Sequence, residues 1–148
     1  MYTTIQFIHS YWAYLVVFVV LIATINALAG YMGNKEYSPK DFRLALFALI
    51  TTHIQFLIGL VLYFVSPLGV QNITNLGMGE VMGNSTYRLY AVEHPIVMIL
   101  TVVFITIGYS KHKKKLVSKP KFKMLAIFYS IALLFLLSRI PWAQWLAL

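Results

Sequence analysis

Four long, mostly apolar stretches constrain the fold of this 148-residue chain more than any other feature. They run over about residues 8–30, 42–64, 87–109 and 122–145, and each is long enough to cross the hydrocarbon core of a bilayer as one helix. Hydrophobic residues make up 60% of the chain and charged residues only 11%, which leaves no polar shell for a soluble domain. We therefore expect an all-α integral membrane protein, a single domain built as a four-transmembrane-helix bundle.

The basic residues predict the orientation of this bundle. Ten of the 12 lysines and arginines lie in the connections at 31–43 and 111–123. With four spans these connections share one side of the membrane, and the positive-inside rule predicts that this side is the cytoplasm. The N and C termini would then lie on the periplasmic side. This topology, together with attraction to anionic lipids, explains the net charge of +8 without nucleic-acid binding.

Local patterns predict the start of the second helix, a start or kink in the third helix, and one packing face. Ser38-Pro39 followed by Asp41 is a helix start, because it supplies a capping hydroxyl, a proline in the first turn and an acid at the positive helix end. Pro95 lacks a backbone N–H, so the third helix is expected to start or kink there. A stripe with steps of four and three in the first span is rich in small residues and should face the other helices: His9, Ala13, Val16, Val20, Ala23, Ala27 and Gly30.

Three histidines lie within or at the edge of the apolar spans: His9, His53 and His94. A helical rise of about 1.5 Å per residue, counted from the basic connections, puts His9 and His94 level near the outer boundary. The same count puts His53 deeper, near the midplane. Because neutral imidazoles on facing helices can hold haem iron from both sides, the depths favour His9 and His94 as the axial pair of a haem b.

Two arginines fit the same hypothesis. Arg88 and Arg139 are the only basic residues outside the two clusters, and both fall at the level where haem propionates would need cations. His53 is the alternative axial ligand. It could also serve a second haem or a bound quinone, with Thr52 and Gln55 as its orienting partners.

Other interpretations of these polar residues remain open. Histidines in spans can form helix-to-helix hydrogen bonds without a ligand, and zinc or copper is a further option, although carboxylates are sparse. Glu93 should point away from His94 on a helix and pair with Arg88 or cap the span. His112, among the lysines at 111–115, is expected to be a solvated loop residue. The absence of cysteine excludes disulfides, iron–sulfur clusters and thiolate metal sites.

Five motifs are spread along the chain: HSYW at 9–12, THIQFLIGLVLYFVSP at 52–67, YAVEHP at 90–95, IGYSKHKKK at 107–115 and SRIPW at 138–142. Together they resemble a family of small bacterial four-helix membrane proteins labelled cytochrome b-like. The resemblance implies a multi-pass protein of the bacterial inner membrane that binds haem b through His9, His53 and His94. A more distant similarity links the chain to the haem-binding membrane protoporphyrinogen oxidase family. That family also uses a lysine in a later span, and the apolar interiors of the spans here contain none.

These observations favour an electron-transfer component that carries haem b, either alone or as a subunit of a larger membrane complex. One alternative is a cofactor-free accessory subunit whose polar residues serve helix packing and contacts to other membrane subunits. Another is a quinol or porphyrinogen oxidase, in which case the chain is itself an enzyme. Turnover by the isolated protein separates the last interpretation from the first two.

Overall fold

The computed structural model describes residues 1–146, which form helices and connections without a strand. The helices, in chain order, are α1 (Tyr2–Met32), α2 (Pro39–Val65), α3 (Val70–Leu76), α4 (Met78–Gly83), α5 (Ser85–Arg88), α6 (His94–Lys113), α7 (Ser118–Ser138) and α8 (Trp142–Trp145), with a π-helical segment at Leu89–Glu93. Four helical stretches are long and apolar enough to cross a membrane: Tyr2–Met32, Pro39–Leu76, Ser85–Lys113 and Ser118–Ser138. The predictions of an all-α fold and of four such helices are confirmed.

The four long helices surround a common core. Helix α1 packs against α2 and α7, and α6 packs against α7 and α2, so α1 and α6 lie diagonally opposite each other. Of these four interfaces, the one between α2 and α6 is the least extensive. The buried face of α1 includes most of the predicted stripe of small residues: Val16, Val20, Ala23, Ala27 and Gly30. This packing leaves a "basic end", with the connections at 33–38 and 114–117, and a "loop end", with α3, α4, α5 and α8.

The predicted start of the second helix is confirmed. Helix α2 begins at Pro39, and the Asp41 carboxylate accepts hydrogen bonds from both the backbone N–H and the hydroxyl of Ser38, each at 2.9 Å. Asp41 also accepts a bond of 2.8 Å from the Asn26 side chain of α1. One carboxylate therefore caps α2 and joins it to α1.

The prediction that His112 is a solvated loop residue is wrong. Helix α6 continues to Lys113, and His112 is fully buried at the basic end. Its Nδ1 donates to the Tyr109 carbonyl oxygen, which can only accept, so Nε2 accepts the hydroxyl proton of Tyr37 over 2.7 Å. Burial, assisted by the negative charge of Asp41, raises the pKa of Tyr37 above its usual range, which keeps this hydroxyl protonated.

We expect His112→Ala to lower the free energy of unfolding by about 1–3 kcal/mol, because the fully buried imidazole is lost and the half-buried Tyr37 hydroxyl loses its partner. Lys114→Ala is the matched control, since Lys114 is exposed two residues away. Denaturant titration of both variants in detergent measures the difference. Equal stability of the two variants would show that the buried pair contributes nothing.

Helix α7 ends at Ser138, whereas the fourth apolar stretch in the sequence extends to residue 145. Pro141 explains this difference, because it has no N–H for the Leu137 carbonyl one turn earlier. The Trp142 indole N–H donates to that carbonyl at 3.0 Å instead. The chain then turns into α8, where the Trp145 indole donates to the Ser10 carbonyl of α1 at 2.9 Å.

Candidate functional site

His9 and His94 face each other across the loop end of the bundle. Their ring centroids are 6.2 Å apart, and their ring planes are nearly perpendicular, at 87°. Both side chains line a cavity of about 540 Å³ between α1, α2 and α6. The structure therefore brings together the two histidines that helical rise places at one level.

The backbone around His94 departs from a regular α-helix. The π-helical segment Leu89–Glu93 leads directly into His94, which opens α6, and Pro95 follows. Because Pro95 has no N–H, the Ala91 carbonyl lacks its usual partner four residues later. The Tyr63 hydroxyl of α2 donates to that carbonyl at 2.8 Å. Tyr63 thus joins α2 to the segment that carries His94.

The tautomer of His94 follows from its hydrogen bond. Its Nδ1 lies 2.8 Å from the Arg139 carbonyl oxygen, which can only accept. Nδ1 therefore carries the proton, and in the neutral ring Nε2 keeps a free lone pair. A histidine whose other ring nitrogen donates to a backbone carbonyl is the usual arrangement for a metal ligand.

His9 is held against one face of α2. The Gln55 amide nitrogen donates to the His9 carbonyl at 2.8 Å. One turn further along α2, Gly59 lies under the imidazole, where an added Cβ would approach His9 Cε1 to 2.9 Å. Any larger residue at position 59 would therefore displace the ring. Within residues 1–146, the buried Nδ1 of His9 has no hydrogen-bond partner.

Both predicted arginines lie at the loop end and share one carboxylate. Arg88 Nε is 2.8 Å from Glu93 Oε2, and Arg139 Nε is 3.5 Å from Glu93 Oε1. The two side chains are 34% and 48% exposed, so each guanidinium retains free donors. Glu93 therefore pairs with Arg88, which is one of the two roles expected for it. Glu93 also contacts the side chain of Arg139, the residue whose backbone carbonyl accepts the hydrogen bond from His94.

His53 lies apart from this pair. Its Nε2 donates to the Thr106 hydroxyl oxygen at 2.9 Å, because the hydroxyl proton is given to the Val102 carbonyl at 2.7 Å. Within the described chain, the residues that line the cavity include His9 and His94 but not His53. The expected partners of His53 bond elsewhere: Gln55 to the His9 carbonyl, and Thr52 to the Ala48 carbonyl.

Three residues of the site are not evident from the sequence pattern: Gly59, Tyr63 and Trp145. Gly59 and Tyr63 belong to the uninterrupted apolar stretch at 56–65 and look like ordinary lipid-facing or packing residues. The proline at position 95 is the one sequence signal for Tyr63, since a freed carbonyl in a bilayer needs a donor from another element. Gly59 and Trp145 become apparent only when α1, α2 and α8 are packed together.

The described residues contain no group of three or more His, Cys, Asp or Glu side chains that could hold a metal ion. No protein family, curated protein or solved structure matches the chain. The site is therefore defined by its own geometry, as a pair of facing histidines in an apolar cavity.

We expect Tyr63→Phe to loosen the segment that carries His94. The buried Ala91 carbonyl would lose the Tyr63 hydroxyl as a donor, at a cost of about 1–3 kcal/mol. Hydrogen–deuterium exchange of the amides at 89–93 should become faster. Tyr11→Phe is the control, since the Tyr11 side chain is about half exposed on α1. Unchanged exchange in the Tyr63 variant would contradict this role.

Proposed function

We propose that this chain is a haem b-binding membrane protein that transfers electrons, with His9 and His94 as the axial ligands. The observation that carries the proposal is the 6.2 Å separation of the two ring centroids. Two imidazoles that each bond one metal ion at about 2 Å through a ring nitrogen have their ring centres roughly 6 Å apart. The histidines therefore have the spacing that a shared iron requires.

Three further features of the site fit haem b. The neutral tautomer of His94 leaves Nε2 free as a ligand. The cavity of about 540 Å³ is lined mainly by apolar side chains and lies in the usual range of about 300–1,000 Å³ for cofactor pockets. Arg88 and Arg139 supply partly exposed cations for propionates. When bound, haem would supply a one-electron iron couple, while the protein residues would hold it, exclude water and neutralise its propionates.

We further propose that the basic end faces the cytoplasm of a bacterial inner membrane, with both termini and the histidine pair near the periplasmic side. The lysine-rich connections support this orientation through the positive-inside rule. The described chain is almost entirely spanning helices and short connections, so its redox partners would be other membrane subunits or a quinone. The apolar helices are consistent with contact to the lipid bilayer.

An absorption spectrum of the detergent-purified protein, before and after dithionite, tests the proposal. A Soret band with a sharp α band on reduction is the expected result for six-coordinate haem b. A colourless protein that also fails to bind added haem would overturn it. In that case the protein would be a cofactor-free accessory subunit, and co-purification with a larger complex would support that role.

A quinol or porphyrinogen oxidase is the second candidate, and one observation favours it. Leu60 and Phe64 of α2 and Ile96 and Ile99 of α6 line the cavity, yet they are 44% to 58% exposed. The cavity is therefore open at the α2–α6 interface, where a membrane-dissolved substrate would enter. Substrate-dependent turnover by the isolated protein in vesicles would support this candidate, and a protein that only exchanges electrons with a partner would exclude it.

A further inference from the structure

Two buried polar atoms, one on the proposed ligand His9 and one on Gln55, lack hydrogen-bond partners. Within residues 1–146, three buried side-chain nitrogen or oxygen atoms make no hydrogen bond: His9 Nδ1, Gln55 Oε1 and Asn72 Nδ2. An unpaired polar atom in an apolar interior is costly, so each unpaired atom calls for an explanation. The first two atoms belong to neighbouring side chains and are chemically complementary. Gln55 Oε1 can only accept a hydrogen bond, and a neutral imidazole can donate from Nδ1.

The Gln55 side chain of α2 contacts the backbone of His9 on α1. The Gln55 amide nitrogen is already bonded to the His9 carbonyl at 2.8 Å, so the amide can pivot about this anchor. Gly59 lies one turn from Gln55 on the same face of α2 and limits the imidazole on its other side. His9 thus contacts Gln55 through its carbonyl oxygen and Gly59 through its ring, and rotation of the Gln55 amide about its anchored nitrogen would pair the two atoms.

We infer that Gln55 is a positioning residue for His9, whose Nδ1–H donates to Gln55 Oε1. This inference rests on the proposed function, because the hydrogen bond at Nδ1 would direct the free Nε2 of His9 into the cavity as the second iron ligand. The arrangement matches that of His94, where the Arg139 carbonyl accepts from Nδ1. The two acceptors differ in one respect. The one at His94 is a backbone carbonyl, whereas the one at His9 is a side chain that substitution can change.

Two substitutions of Gln55 with opposite expected effects on the haem potential test the inference. Gln55→Glu provides a stronger acceptor, makes His9 more basic and should lower the potential, while Gln55→Leu removes the acceptor and should raise it. Gln55→Leu should also weaken haem affinity by about 10- to 100-fold. Gln71→Leu is the control, since Gln71 lies at the loop end and donates to the Phe64 carbonyl. Shifts of both Gln55 variants in the same direction would indicate a structural role and overturn the inference.

A second measurement does not depend on haem. Nitrogen-15 NMR of histidine-labelled full-length chain in lipid vesicles, prepared without added haem, reports which ring nitrogen of His9 carries the proton. The His9 signals are identified by their loss in His9→Ala. We expect protonation of Nδ1 alone in the natural chain and a mixture of tautomers in Gln55→Leu. Protonation of Nε2 in the natural chain would overturn the inference, whereas a missing Soret band alone would overturn only the proposed function.

Discussion

Replacing either His9 or His94 with alanine is expected to abolish stable haem binding. The two rings are 6.2 Å apart, so each variant would leave the iron with one protein ligand instead of two. The loss of affinity should exceed the roughly 10- to 100-fold that removal of an outer partner of a ligand causes. Haem content, measured as the Soret absorbance per mole of purified protein, checks this result.

His53→Ala is the matched control for these two variants. His53 lies in the same bundle, but it donates to Thr106 and does not line the cavity within the described residues. We expect this variant to keep its full haem content and to lose only some stability. Full haem content in both His9→Ala and His94→Ala would show that the axial ligands are assigned wrongly. Loss of haem in His53→Ala alone would instead favour the alternative in which His53 is a ligand.

Gly108→Leu should destabilise the bundle more than any other single change considered for this fold. At Gly108, α6 approaches α7 so closely that an added Cβ would lie 2.5 Å from Phe128 Cβ. Since a Cβ atom moves only with its backbone, the two helices would have to separate along the most extensive interface of the bundle. Overpacking of this kind typically lowers the free energy of unfolding by about 1–3 kcal/mol. Because leucine is bulky, we expect a loss at or above the upper end of this range.

Gly79→Leu is the control for this second prediction. Gly79 lies in α4 at the loop end, where an added Cβ would meet no other heavy atom within 4 Å. Both variants lose a glycine and gain the same side chain, so they differ mainly in the space available. Thermal unfolding of the two proteins in detergent compares them. A Gly108 variant as stable as the Gly79 variant would contradict the close approach of α6 and α7.

Two prolines shape the loop end through the same physical effect. Pro95 and Pro141 each remove the N–H that a helical carbonyl one turn earlier would use. An aromatic side chain replaces it in both cases, with the Tyr63 hydroxyl on the Ala91 carbonyl and the Trp142 indole on the Leu137 carbonyl. Carbonyls in a bilayer have no water partner, so such replacements are needed. They also define where His94 and Arg139 lie, because each proline is close to one of these residues.

The features that depend on local sequence were predictable. The length and apolarity of each stretch determine whether it can span a bilayer, so the four spanning helices follow from the sequence alone. The start of α2 at Pro39 follows from the Ser38 and Asp41 cap in the same way. The common level of His9 and His94 follows from the constant rise of a helix, which needs no knowledge of how helices pack.

The features that depend on neighbouring helices were not predictable. His112 lies in a lysine-rich stretch, and it is buried against Tyr37 and Phe42, which are distant from it in the chain. The bond of His53 to Thr106, in place of a position in the cavity lining of the described residues, depends on the rotation of α2 about its axis. When a lipid-exposed helix rotates slightly about its own axis, its apolar side chains still face either lipid or other helices. The hydrophobic pattern of the sequence therefore does not specify the rotation of α2. The partner of Gln55 could not be foreseen for the same reason.

The sequence by itself therefore determined the number of helices able to span a bilayer, their approximate limits and the common level of His9 and His94 along the bundle, because these are properties of single helices. Only the tertiary structure decided that His9 and His94 face each other, that Gly59 makes room for one ring and that the Arg139 carbonyl orients the other. These relations depend on which faces of four helices meet. Side chains far apart in the chain set those faces through close packing and hydrogen bonds to backbone carbonyls.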